Sequence, residues 1–273
     1  MKRWLLGFIV LVAVTALAAC GGKEASTTDT KDIKIGATAG PYTDMVNKAI
    51  KPGLEDKGYK VEVVTFSDYV QPNKALSKGD IQANLFQHTI YLETFSKQND
   101  MKLTGLIAVP TAPMGIYSNT YKSLSDVKDG ATIAIPNDPT NAARAFNILE
   151  DEGFITVDEN ANPITISEKD ITENKKNLKF QPIEAGQLPR SVESADLAAV
   201  PGNYALAAKM DLLSALALEN MDDQYRNVVA VTTENKDTQL AKDLKAVVKS
   251  DEFEKIIDEE FKGFGKPKWM ESK

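Results

Sequence analysis

Ala131-Thr132-Ile133-Ala134-Ile135-Pro136-Asn137-Asp138-Pro139-Thr140-Asn141-Ala142-Ala143-Arg144 sits at the middle of the chain. Residues 132–135 read as a short apolar strand. Asp138 is a good helix N-cap, and Pro139 suits the first helical position because its missing N–H would have no partner there. Apolar spacing carries the helix through residues 139–152. This strand-to-helix unit restarts a pattern already run once nearer the N-terminus. There, residues 33–37 form a strand ending in a Gly-containing turn. Met45, Val46, Ala49, Ile50 and Leu54 fall at helical spacing, and residues 60–66 alternate as a strand. Residues 70–76 are helical in spacing, 81–85 extended, 90–97 helical, 103–109 a strand, and 114–118 extended again.

Toward the C-terminus, residues 178–183 and 197–200 read as strands, and 204–209 and 212–219 as helices. Residues 228–232 form a last apolar strand. Two amphipathic helices follow, carried by Leu240, Leu244, Val247 and Val248, then by Phe253, Ile256, Ile257 and Phe261. No internal sequence repeat is visible. Alternation of this kind predicts an α/β fold with largely parallel sheets. The mid-chain restart predicts two lobes, residues 33–117 with 228–273 and residues 118–227, with a ligand cleft beyond the strand ends.

The N-terminus is different in kind. Met1-Lys2-Arg3 precedes an apolar run over residues 4–19, shorter than the roughly 20 residues a spanning helix needs. Leu17-Ala18-Ala19-Cys20 closes it, the layout of a secretory signal ending at a cysteine. An uncleaved N-terminal anchor helix is the alternative. Residues 1–19 are read as a signal peptide and 20–32, rich in Gly, Ser, Thr and charge, as a flexible tether.

Composition removes several functions. The 273 residues carry a formal charge of −7, which argues against a nucleic-acid binder, since that class needs surplus Lys and Arg to displace phosphate counterions. One cysteine and one histidine rule out an internal disulfide and an ordinary zinc site. There is no G-x-S-x-G elbow, P-loop or H-E-x-x-H. Pairs such as Asp222-Asp223 and Glu259-Glu260 do not face one another on a helix and read as solvated surface. No enzyme, metal or cofactor is expected.

Two segments carry candidate binding chemistry. Asn141 and Arg144 fall three residues apart on one helix face, beside the positive helix end, where unpaired N–H groups and a guanidinium fork favour a carboxylate. A capped helix with a surface arginine is the plain alternative. Tyr69, Phe86, His88 and Tyr91 gather three rings and the only imidazole, and could line an apolar side-chain pocket. A thioether sulfur packs well against ring edges. Core aromatics with a surface histidine would look the same in sequence.

These residues are also where the chain resembles a known family, the bacterial methionine-binding lipoproteins that serve as substrate receptors of methionine ABC importers. The resemblance runs from the lipobox at Cys20 through nearly the whole chain. Its most specific pieces are Asp68-Tyr69-Val70-Gln71-Pro72-Asn73, Phe86-Gln87-His88, residues 136–141 with Arg144, and Gln187-Leu188-Pro189-Arg190. It implies a two-lobed periplasmic-binding-protein fold enclosing the ligand between its lobes. It implies that Cys20 carries the lipid, that Arg144 pairs with the ligand carboxylate, and that Asn141 supports it. Tyr69, Phe86, His88 and Tyr91 would shape a thioether pocket. Asn203 and Asn227 would hold the amino and carboxylate groups. Tyr117 and Tyr204 are weaker candidates, and residues 38–42 look like a cleft loop. The implied partners are methionine, the permease and ATPase subunits of an ABC importer, and a membrane reached through the lipid anchor on its extracytoplasmic face. A receptor for a methionyl dipeptide or another small amino acid is the nearest alternative. An enzyme or an adhesion lipoprotein is a more distant one.

Overall fold

The computed structural model describes residues 31–271. The signal, Cys20 and the tether up to residue 30 lie outside the described residues. Along the chain run β1 (Asp32–Thr38), α1 (Pro41–Met45), a π-helical turn (Val46–Ile50), α2 (Lys51–Glu55), β2 (Lys60–Phe66), α3 (Gln71–Lys78), β3 (Ala83–His88), α4 (Thr89–Gln98) and β4 (Leu103–Ala108). There follow β5 (Gly115–Tyr117), β6 (Thr132–Pro136), α5 (Pro139–Asp151), β7 (Ile155–Val157), β8 (Ile171–Asn174), β9 (Lys179–Ile183), α6 (Leu188–Ser191), β10 (Leu197–Val200), α7 (Gly202–Ala207) and β11 (Ala217–Leu218). The chain closes with β12 (Asn227–Thr232), α8 (Gln239–Val248), α9 (Asp251–Glu260) and α10 (Lys268–Glu271).

Two five-stranded sheets result, ordered β2-β1-β3-β12-β4 and β11-β5-β10-β6-β9. β1 pairs in parallel with β2 and β3, and β6 in parallel with β9 and β10. The sheets are mixed rather than largely parallel, because the chain re-enters each one from the far side. β12 runs antiparallel to β3 and β4, and β5 antiparallel to β10 and β11. The last strand thus returns to the first sheet. α8 and α9 then place Leu244, Val247, Phe253 and Ile257 in its core, beside Ile35, Met45 and Leu85. A second core, around Ile133, Phe146, Leu149 and Leu197, lies between α5 and the other sheet.

Two further sequence expectations change. Residues 212–219 are not a helix: a 3-10 turn (Leu212–Ser214) gives way to β11, and just before that strand the Leu216 N–H donates to the Ile116 carbonyl at 2.7 Å. A short apolar run has no periodicity that separates helix from strand, and the open edge of β5 decides it. The β7–β8 hairpin lies in a stretch with no predicted element. Finally, the expected boundary at 117 keeps β5 with the first lobe, whereas β5 pairs in the second sheet, and Asn227 opens β12 in the first. The chain changes sheet within residues 109–114 and 219–226.

Candidate functional site

The site is built where the two sheets' strand ends face each other. Asp138 caps α5, its carboxylate accepting the Asn141 backbone N–H at 2.9 Å. The same carboxylate accepts from the Asn141 side-chain Nδ2 at 3.1 and 3.0 Å. That fixes the amide's orientation and turns Oδ1 toward Arg144, whose Nη1 donates to it at 2.9 Å. Arg144 is buried, only 5% exposed. Its Nε donates to Glu219 Oε1 at 2.7 Å and its Nη2 to Glu219 Oε2 at 2.6 Å. Burial alone would lower the guanidinium pKa, but the Glu219 charge and hydrogen bond outweigh it and raise it, so Arg144 is a fixed cation.

His88 ends β3 and caps α4. Its Nδ1 accepts the Tyr91 backbone N–H at 3.1 Å. Burial, with the Arg144 charge adding to it, holds the imidazole well below its ordinary pKa, so it is neutral. With Nδ1 accepting, the proton sits on Nε2, which faces Asn141 Oδ1 at 3.4 Å. The Tyr225 ring stands edge-on to His88, with centroids 5.2 Å apart, and lies 5.6 Å from the Arg144 guanidinium carbon.

Beside this polar end lies an aromatic wall. The Tyr69 ring packs on Tyr204 at 5.0 Å and on Phe86 and Tyr91 at 5.8 Å each. The Tyr69 hydroxyl donates to Asn203 Oδ1 at 2.7 Å, and the Tyr204 hydroxyl to the Ser67 carbonyl at 3.1 Å. Burial raises the Tyr69 hydroxyl pKa well above its usual value and pushes Tyr42 up to about 12, so both phenols stay protonated. Asn203 Nδ2 is buried and has no hydrogen-bond partner among the described residues, so it presents a free donor. Asn227 stands opposite His88 in the β3–β12 ladder, its backbone N–H donating to Thr111 Oγ1 at 2.8 Å.

All eight residues singled out in the sequence as ligand-binding candidates (Tyr69, Phe86, His88, Tyr91, Asn141, Arg144, Asn203 and Asn227) line one narrow cavity. Tyr42 lines it too, with Gln87, Thr111, Ala112 and Gly202, but it stands in the first turn of α1, so the cleft loop expected over residues 38–42 is the end of β1, a turn and the start of that helix. Tyr204 and Tyr117 are not on its wall. Tyr204 backs Tyr69, and Tyr117 is buried elsewhere in the second lobe's packing. Arg190 is exposed. Sequence reasoning misses Glu219, which follows β11 at the end of the stretch expected to be helical; no spacing motif marks it. Among the described residues no cluster of His, Cys, Asp and Glu could hold a metal.

The family model for the NlpA lipoproteins matches residues 33–269. The chain belongs to the NlpA lipoprotein family. Among relatives of this family, the D-methionine-binding lipoprotein MetQ of Salmonella typhi is 38% identical over 262 residues, 95% of each chain. The methionine-binding lipoprotein MetQ of Bacillus subtilis is 35% identical over 268 residues, covering 96% of this chain and 97% of that one. A nutrient-binding protein from Burkholderia cenocepacia, solved bound to methionine, is 39% identical with a TM-score of 0.80, covering 85% of this chain and 97% of that one. The two-lobed α/β fold is therefore that of NlpA-family binding proteins. Among the described residues no helix is long and apolar enough to cross a membrane.

Proposed function

We propose that this chain is an extracytoplasmic lipoprotein that binds methionine between its two lobes and delivers it to an ABC importer. Convergence carries the reading: a buried cation, a neutral imidazole, amide groups and an aromatic wall meet in one cavity between the sheets. A zwitterion removed from water needs partners for both charges, since unpaired buried charge is costly. The two guanidinium N–H groups left over by Glu219 and Asn141, with Asn203 Nδ2, are donors for the ligand carboxylate. Asn227 is the amide acceptor for the ammonium. Asn203 Oδ1 is already engaged by Tyr69, which makes Asn203 a donor to the ligand. The thioether would lie against Tyr69, Phe86 and Tyr91.

A ligand touching both lobes favours the closed arrangement by its differential affinity, and the permease and ATPase subunits would read that arrangement. The chain itself performs no reaction. Lipid on Cys20 would hold it at the extracytoplasmic face of a membrane, since each buried methylene contributes about 0.8 kcal/mol. Mass spectrometry of ligand released on denaturation, with calorimetry against L-Met, D-Met and Gly-Met, tests the reading. Methionine recovered and bound supports it. A different copurifying ligand with no methionine binding, or chemical turnover of methionine derivatives, would sink it.

A further inference from the structure

The Glu219 carboxylate is held without help from any ligand. It accepts from Arg144 Nε and Nη2, and its Oε2 also accepts the Met114 backbone N–H at 3.0 Å. The Glu219 backbone is itself fixed, its N–H donating to the Met114 carbonyl at 2.9 Å. Both charged side chains are 5% exposed. Arg144 is the only side chain on the cavity wall that carries charge, since His88 is neutral there. The nearby half-buried Asp138 carboxylate accepts from Thr140 and Asn141 at the helix end rather than from Arg144, and its charge is still felt at Tyr69.

We propose that Glu219 makes this site selective for ligands of zero net charge, by cancelling the Arg144 cation before any ligand enters. The proposal rests on the amino-acid-binding reading above. Of the five N–H groups of a guanidinium, three are taken by Glu219 and Asn141, and two remain to recognise a carboxylate. Arg144 therefore keeps its directional role while its charge is already balanced. A zwitterion adds no net charge to this enclosed volume. A carboxylate lacking the ammonium leaves one buried negative charge uncompensated, and an ammonium lacking the carboxylate leaves a positive one, each of which low-polarity surroundings penalise. Glu219 is thus a specificity-determining and positioning residue that touches no ligand atom.

The test is calorimetry on the full chain in detergent, with L-methionine and 2-hydroxy-4-(methylthio)butanoate. The second compound keeps the carboxylate and thioether and replaces the ammonium by a hydroxyl of similar size. Wild type should prefer methionine by roughly 100-fold or more. In Glu219→Gln the preference should fall at least about tenfold, because the buried Arg144 cation then lacks its ion-pair partner and gains more from a ligand carboxylate without an ammonium. Glu219→Asp keeps the charge and should keep the preference, which a purely structural role for the side chain would not predict. An unmoved preference in folded Glu219→Gln overturns the proposal. Should Glu219→Gln fail to fold, wild type decides: hydroxy acid bound as tightly as methionine overturns it. No methionine binding by wild type would overturn the underlying reading and this proposal with it. Methionine bound with an unmoved preference overturns only the role of Glu219.

Discussion

The Tyr69 hydroxyl donates to Asn203 Oδ1 at 2.7 Å, joining the loop after β2 in the first lobe to α7 in the second. The bond also orients Asn203, leaving its Nδ2 as the free donor. Tyr69→Phe removes the bond while keeping the ring against Tyr204 and Phe86. Stranding a buried acceptor costs about 1–2 kcal/mol. Methionine affinity should therefore drop roughly 5- to 30-fold, mostly through faster release, as interface changes usually act. Stopped-flow dissociation with calorimetry checks this; an unchanged release rate would show that the bond does not hold the lobes together.

Arg144 bears on the fold through Glu219 and, on the proposed reading, on the ligand. Arg144→Ala leaves Glu219 buried without its cation, which should cost about 3–5 kcal/mol of unfolding free energy. It should also weaken methionine binding by about 2–5 kcal/mol. The double change Arg144→Met with Glu219→Leu removes both charges and should recover most of the stability, because buried ion pairs are often no better than apolar packing. It should recover none of the binding. Urea denaturation read beside calorimetry separates the two losses. Binding that returned with stability would remove Arg144 from ligand recognition.

The legibility of this chain in sequence divides along physical lines. β1, β2, β6, β10 and α5 were readable because alternation, Asp138 and Pro139 act locally. The antiparallel entries of β12 and β5 were not, since strand direction depends on where the chain arrives from. The eight candidate residues could be named because they lie in segments with distinctive chemistry. Glu219 cannot, because the helix expected over its stretch does not form. Residues 212–219 are rich in Leu and Ala, which suggests a helix, yet pairing with β5 draws them out into β11 and delivers the carboxylate to Arg144. A partner 75 positions away leaves no trace in local spacing.

His88 should write a pH signature on stability. Its folded pKa is depressed, first by burial and then by the Arg144 charge, from an ordinary 6.5. Above 6.5 both folded and unfolded chains hold it neutral, and it adds no pH dependence. Below 6.5 the unfolded chain takes up a proton that the folded chain refuses. Stability should then decline by about 1.4 kcal/mol per pH unit as pH falls, until the depressed folded value is reached. His88→Asn keeps a cap acceptor for the Tyr91 N–H but does not titrate. Ligand-free denaturation curves from pH 5 to 8 should show the wild-type stability falling away from that of the variant below 6.5. Parallel curves would mean that His88 already accepts a proton in the folded state.

Gly202 opens α7 on the cavity wall, one residue before Asn203. A Cβ there would run into the Pro113 carbonyl oxygen and lie 2.7 Å from the Ala112 Cβ. Those atoms belong to the stretch where the chain crosses from one sheet to the other, so they cannot step aside as a flexible side chain would. Gly202→Ala must therefore push α7 away from residues 112–113 and carry Asn203 off its Tyr69 partner. Overpacking of this kind costs about 1–3 kcal/mol. The loss should appear in thermal unfolding and, through the misplaced Asn203, as weaker methionine binding. Combining Gly202→Ala with Tyr69→Phe gives a sharper measurement. If the glycine acts through the Tyr69–Asn203 bond, the double variant should bind nearly as well as Gly202→Ala alone, because coupled sites are not additive. Fully additive losses would place the effect of Gly202 elsewhere on the cavity wall.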